Sequence, residues 1–218
     1  MTVRPLTADE WQLKRDLRLT ALKDSPAAFA STYAREAHRS ESEWRDWPRG
    51  GEFFAAFAGP VPPDPVPPGP VPLGPAASDG VGPAPAESVA AAAGPSALGP
   101  VASDVVAPAF AAPGSAGPGH WRPGAPLGIA GAWVTVADPT TTHLISMWVA
   151  PEARGNGVAG LLIDAVAGWA AGHGCARVEL EVAAGNEAAM KAYLRAGFTI
   201  ADHTPFTDGG TVLIRPVQ

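Results

Sequence analysis

Between Arg49 and Arg122 the chain has no lysine or arginine, and 17 of its 25 prolines fall between Pro60 and Pro123. Residues 59–124 are almost wholly Pro, Gly, Ala, Ser and Val, with four acids, Asp64, Asp79, Glu87 and Asp104. They show neither a helical nor a strand period. Proline removes backbone donors and glycine adds chain entropy, so little regular structure is expected. We predict a disordered Pro/Gly/Ala-rich insertion inside one domain. Pro60-Val-Pro-Pro63 and Pro65-Val-Pro-Pro68 offer a polyproline ligand as the alternative. Taking 66 residues from 218 leaves 152, an ordinary single domain. Closing a core across the insertion costs little. Going from about 4 to about 64 residues is about four doublings, or roughly 2.4 kcal/mol.

Composition then excludes several classes. The net charge is −6 and no Lys/Arg cluster is present, so nothing marks a nucleic-acid partner. Cys175 is the one cysteine, which rules out an intrachain disulfide and fits a reducing cytoplasm. No apolar segment follows Met1 as a signal peptide would, and Pro and Gly break every long uncharged run, so no membrane partner is expected.

The remaining residues read as alternating elements. Strands are expected at 2–6, 52–58, 127–136, 143–149, 177–182, 198–203 and 211–215. Thr7 opens a capping box, Thr-Ala-Asp-Glu, for a helix to Leu22. Further helices are expected at 31–47, 158–171 and 187–195. Val158, Leu161, Leu162, Ala165, Val166 and Trp169 form one apolar stripe. Strands followed by two late strand–helix units predict an α/β fold, a mixed sheet with helices on both faces.

Gly155-Asn-Gly157-Val-Ala-Gly160 can be read two ways. As G-x-G-x-x-G it is a dinucleotide fingerprint, with Glu179 and Glu181 about 20 residues on. Against this, Pro151-Glu-Ala-Arg154 separates the strand from the first glycine. Only 58 residues follow Gly160, too few for the rest of a doubly wound sheet. Started at Arg154, the same letters read R-x-x-G-x-A, an anion cradle. Backbone N–H groups at a helix start hold the anion, glycines allow close approach, and Arg154 adds a fixed cation.

The next unit favours the second reading. Val149-x-Pro151-x-x-Arg154-Gly155-x-Gly157-x-Ala159 is followed by Val182, Asn186, Ala189, Tyr193 and Gly197-Phe198. In this combination the chain resembles the GNAT superfamily of acetyl-CoA-dependent N-acetyltransferases. The match runs over about residues 143–200. The opening, with Arg4-Pro-Leu, Trp11, Asp24-Ser-Pro and Phe29-Ala-Ser-Thr-Tyr33, resembles bacterial members more loosely. The insertion is a departure from the pattern.

The resemblance implies a sheet of about seven strands, mostly antiparallel, with about four helices. It implies acetyl-CoA as cosubstrate and an amine-bearing acceptor, a small molecule or a protein N-terminus. A homodimer is left open, and a non-catalytic acetyl-CoA-binding module is the alternative. Met147, Trp148 and Val149 would line the pantetheine arm through their strand, with Trp148 turned to the other face. Arg154, Gly155, Asn156, Gly157, Val158 and Ala159 would hold the pyrophosphate. Asn186 would bond the pantetheine or cap its helix. Tyr193 would protonate the departing thiolate, a phenol of pKa ~10 against a thiol of ~8.5. Glu181, or Glu179 on the same strand face, would act as base. At pH 7 an α-amine of pKa about 7.8 is about 14% neutral and a lysine-like amine only about 0.04%, so the base matters most for the latter. Phe29, Tyr33, Trp44 and Trp47 would build the acceptor wall or fill a core.

Overall fold

The computed structural model describes residues 1–59, 121–205 and 207–217. β1 (Thr2–Pro5) leads to Thr7, whose backbone N–H donates to the Glu10 carboxylate at 2.9 Å, as the capping box requires. A short 3-10 turn (Ala8–Glu10) then passes into α1 (Trp11–Asp24). The helix expected over 31–47 is instead two, α2 (Tyr33–Glu36) and α3 (Glu41–Asp46). Each has its own cap: Thr32 Oγ1 accepts from the Arg35 amide at 3.3 Å, and Ser40 Oγ from the Glu43 amide at 3.4 Å. Two caps eight residues apart cannot sit inside one helix, because a cap residue leaves the helical conformation. The break lets Glu36 turn inward to Arg18.

β2 (Gly51–Phe57) and β3 (Pro126–Val134) pair antiparallel as the two arms of a hairpin. Their ladder continues through Ala58 N–H to Ala125 O at 2.9 Å and Gly124 N–H to Ala58 O at 2.7 Å. The predicted disordered insertion starts there; apart from Gly59 and residues 121–124 it lies outside the described residues.

β4 (Thr141–Val149), β5 (Arg177–Val182), β6 (Thr199–Ile200) and β7 (Thr211–Pro216) complete a seven-stranded sheet of order β1-β2-β3-β4-β5-β7-β6. Among its pairings only β4–β5 is parallel. This mixed, mostly antiparallel sheet is the expected architecture, and it excludes the doubly wound sheet that the dinucleotide reading needs. β6 is shorter than the expected 198–203, because as an edge strand it pairs with β7 alone.

β2 is buried at every position from Phe53 through Phe57, so both faces of the sheet are covered there. α4 (Val158–Gly172) covers one face: a Cβ added to Gly128 would lie 3.1 Å from Leu162. Ala130 and Ala132 follow Gly128 on that face. Ile129 and its cross-strand partner Trp148 point the other way, toward the end of α1. α5 (Glu187–Arg195) links β5 to β6. The crossovers β4-α4-β5 and β5-α5-β6 step in the same direction along the sheet. Right-handedness therefore places α4 and α5 on one face.

Candidate active site

Two parallel strands part in the middle of the sheet. β4 and β5 pair only at Thr141↔Arg177, Thr142↔Val178 and His143↔Glu179. Beyond that point β4 stays with β3 and β5 stays with β7, so a wedge opens between them. Ile129 pairs with Trp148 but Gly131 with Ile145, which sets two β4 residues, Ser146 and Met147, against one on β3. The bulge is seated on Ser146, whose φ is +58°. Bulges bend a strand and re-aim its groups. Met147 and Val149 thus sit on the wedge strand, both half-buried.

The glycine turn lies just past the open end of β4. Gly155 and Gly157 have φ of +78° and +82°. A Cβ at either would meet nothing within 4 Å, so conformation rather than space demands glycine. Asn156 Nδ2 donates to Arg154 O at 3.0 Å and braces the turn. Gly157 is the N-cap of α4, and its carbonyl accepts from Leu161 N–H at 3.3 Å. The amides of Val158, Ala159 and Gly160 therefore have no intrahelical acceptor. Val158 itself is buried and anchors the helix start. Three successive donors, a helix dipole and an open surface without Cβ atoms fit a phosphate group.

Arg154 is where sequence reading was incomplete. Its Nε donates to Val149 O at 3.1 Å and its guanidinium pairs with Asp24 at 2.5 Å. Asp24 also accepts from Trp148 Nε1 at 2.9 Å and from Ser25 Oγ at 2.7 Å. Burial pushes the Asp24 carboxyl up, but the bonds from Ser25 and Trp148 and the Arg154 charge outweigh it and hold its pKa below the ordinary value. Trp148 is thus a packed side chain with a satisfied N–H, and Asp24 ties α1 to the glycine turn 130 residues away. Nothing in the local sequence marks Asp24; only the sheet brings it there. Asp24→Ala removes these bonds, so we expect a loss of about 1–2 kcal/mol and a melting temperature a few degrees lower at pH 7. A carboxyl with depressed folded pKa stabilises above its unfolded pKa and loses this as pH falls, so wild type and variant should converge below about pH 4. Thermal melts from pH 3 to 7 check both.

The second unit supplies the remaining candidates. Asn186 Oδ1 accepts from Ala189 N–H at 3.1 Å, so its observed bond is a helix cap. Tyr193 is buried, packs edge-on to Phe198 at 5.6 Å, and has its phenol pushed above the ordinary range by burial. Glu181 accepts from the Thr207 amide at 2.9 Å and from the Thr207 hydroxyl. Among the aromatics, Trp44 is wholly buried and Trp47 packs on it and on Phe53, so both fill core. Phe29 lies under Arg18, and Tyr33 is exposed beneath Lys23. His143 and His203 both meet Glu179. Among the described residues no cluster has the makings of a metal site, and no helix is long and apolar enough to cross a membrane.

Residues 100–198 match the model of the acetyltransferase (GNAT) family. The matched stretch is 99 of the 218 residues, and it holds β4, the glycine turn, α4, β5 and α5. Two solved structures that align over nearly the whole chain share its fold. The GNAT domain of S. lividans PAT is 15% identical, with a TM-score of 0.56 over 98% of this chain and 89% of that one. A phosphinothricin acetyltransferase from Sinorhizobium meliloti, solved with AcCoA, is 14% identical, with a TM-score of 0.56 over 99% and 88%. A nourseothricin acetyltransferase is 28% identical, with a TM-score of 0.39 over 44% of this chain. The chain spans 60% of the length of that relative. No curated protein matches the chain.

Proposed function

We propose that this protein is a GNAT N-acetyltransferase, moving the acetyl group from acetyl-CoA to an acceptor amine by direct attack. The observation that carries this reading is the wedge: two parallel strands that part after three residue pairs, with a glycine turn and a bare helix N-terminus at the open end. Strand edges inside the wedge offer N–H and C=O groups at every second residue, which suits the two amides of a pantetheine arm. Met147 and Val149 supply those groups on β4, and Trp148 holds the strand by its bond to Asp24. Arg154, Gly155, Asn156, Gly157, Val158 and Ala159 hold the pyrophosphate. Asn186 caps α5 and so fixes where the helix that carries Tyr193 begins.

Burial keeps the Tyr193 phenol protonated, which makes it a donor and never an anion across the working range. It stabilises the thiolate by hydrogen bonding while the C–S bond breaks. Glu181 is the sequence-level candidate for the base; serving so requires Thr207 to release it. The acceptor is a small-molecule amine or a protein N-terminus, and the single free cysteine suits the cytoplasm as its compartment.

Calorimetric titration with acetyl-CoA, with NAD in parallel, tests the reading. We expect micromolar binding of acetyl-CoA and none of NAD. Gly157→Glu should weaken acetyl-CoA at least tenfold, because it sets a side chain on a φ of +82° and a carboxylate beside the phosphates. Binding of NAD in place of acetyl-CoA would sink the reading.

A further inference from the structure

The apex of the wedge carries a cluster that the cofactor roles leave unused. Glu179 stands opposite His143 in the last β4–β5 pair. Its Oε1 lies 3.7 Å from His143 Nδ1, and its Oε2 lies 3.0 Å from His203 Nδ1. His203 comes from the segment after β6, so three separate parts of the chain converge on one carboxylate. The Trp133 ring lies 5.0 Å from the His143 ring and only 31° from parallel. The Glu179 and His143 side chains are 13% and 16% exposed, while that of His203 is 47% exposed. The cluster therefore runs from a half-dry interior to water.

Its face matters. Ala132 lies on the α4 face, so its neighbour Trp133 lies on the opposite one. Trp133 pairs with His143 and His143 with Glu179, and register partners share a face. The glycine turn, α4 and α5 belong to the α4 side. An acceptor that reaches the wedge apex from the side opposite the cofactor comes against this cluster, with Glu181 on the same face two residues nearer the open end.

We propose that the cluster of Glu179, His143 and His203 is the subsite that receives the acceptor as an ammonium ion on the carboxylate and takes its proton on an imidazole. This rests on the acetyl-transfer reading and assigns the base to the histidine–carboxylate cluster rather than to Glu181, which Thr207 holds. The carboxylate holds the N⁺–H group by a charge-assisted bond. One ammonium N–H bond breaks and its proton passes to an imidazole. The freed lone pair forms the N–C bond to the thioester carbonyl as the C–S bond breaks. The thiolate, held by the Tyr193 hydrogen bond, takes the nitrogen's second proton. The imidazole proton leaves through exposed His203, so one proton is released per turnover. Burial pulls His143 below its ordinary pKa, which keeps it neutral and able to accept at pH 7. Glu179 and Asp138 oppose that shift and Arg177 adds to it, and His203 faces the same carboxylate from the other side. The acceptors favoured are primary amines that arrive charged, for which a base matters most.

The test uses the full chain with ¹⁵N-labelled histidine rings. n-Butylammonium chloride is titrated against tetramethylammonium chloride at equal ionic strength, since only the former has N–H donors. We expect the His143 and His203 ring signals to move with butylammonium alone. Glu179→Gln should weaken that response at least tenfold and leave acetyl-CoA affinity unchanged. Equal response to both salts in the wild type overturns the proposal without any variant, and so does a full response in Glu179→Gln. Failure of acetyl-CoA to bind would remove the transferase reading instead, while the imidazole signals still decide the ammonium subsite.

Discussion

Tyr193→Phe should lower kcat by about 10²–10³-fold and leave acetyl-CoA affinity within about twofold. The substitution removes one hydroxyl and keeps the ring, so the edge-on packing against Phe198 survives. The phenol donates no hydrogen bond to any described residue, so little folded-state stability is lost with it. In the proposed reaction the lost hydroxyl is the donor to charge that develops only as the thiolate leaves. Loss in kcat with constant cofactor affinity is the signature of an interaction made in the transition state. Turnover under saturating acetyl-CoA, together with calorimetry on the same samples, measures both quantities. Unchanged kcat would remove Tyr193 from the chemistry and return it to the core.

Glu36→Ala should cost about 3–5 kcal/mol, which for a domain of this size lowers the melting temperature by roughly 10 °C. Glu36 is 1% exposed and accepts from Arg18 at 2.8 and 3.1 Å, with Arg39 at 3.7 Å. Arg18 is itself 4% exposed beneath Phe29. Removing the carboxylate leaves a buried guanidinium without its counter-ion, and that desolvated charge is the source of the cost. Burial pushes the Glu36 carboxyl up, but the bond and charge of Arg18 overcome it and leave its pKa lowered. Its stabilisation is therefore full above the unfolded pKa of about 4.3 and fades as pH falls below it. Melts of wild type and Glu36→Ala should differ at pH 7 and draw together in acid. A difference that persists at pH 2 would mean that lost packing, not charge, dominates.

Local signals carried most of the elements. The capping box at Thr7, the apolar stripe of α4 and the alternation in β5 each rest on near neighbours, and each element formed where its pattern stood. The helix expected over 31–47 failed because Ser40 was read as a helix residue when its contact with Glu43 makes it a cap. β6 fell short because an edge strand depends on a single partner. The glycine turn was legible because Gly155 and Gly157 must adopt positive φ, a property of the residues themselves.

The candidate site divides along the same line. Its glycine-turn half is a contiguous run, Arg154 to Ala159, so the sequence by itself determined it: spacing alone places those amides at a helix start. Asp24 on Arg154, Glu179 between His143 and His203, and Thr207 on Glu181 join residues from 24 to 130 positions apart. No local period encodes such pairs. They exist because β4 and β5 pair for three residues and then separate, a register that the whole sheet sets. Backbone conformation is decided by near neighbours, whereas the partners of a charged side chain are decided by which strands lie side by side. For that reason only the tertiary structure could show which cation, carboxylate and imidazole meet.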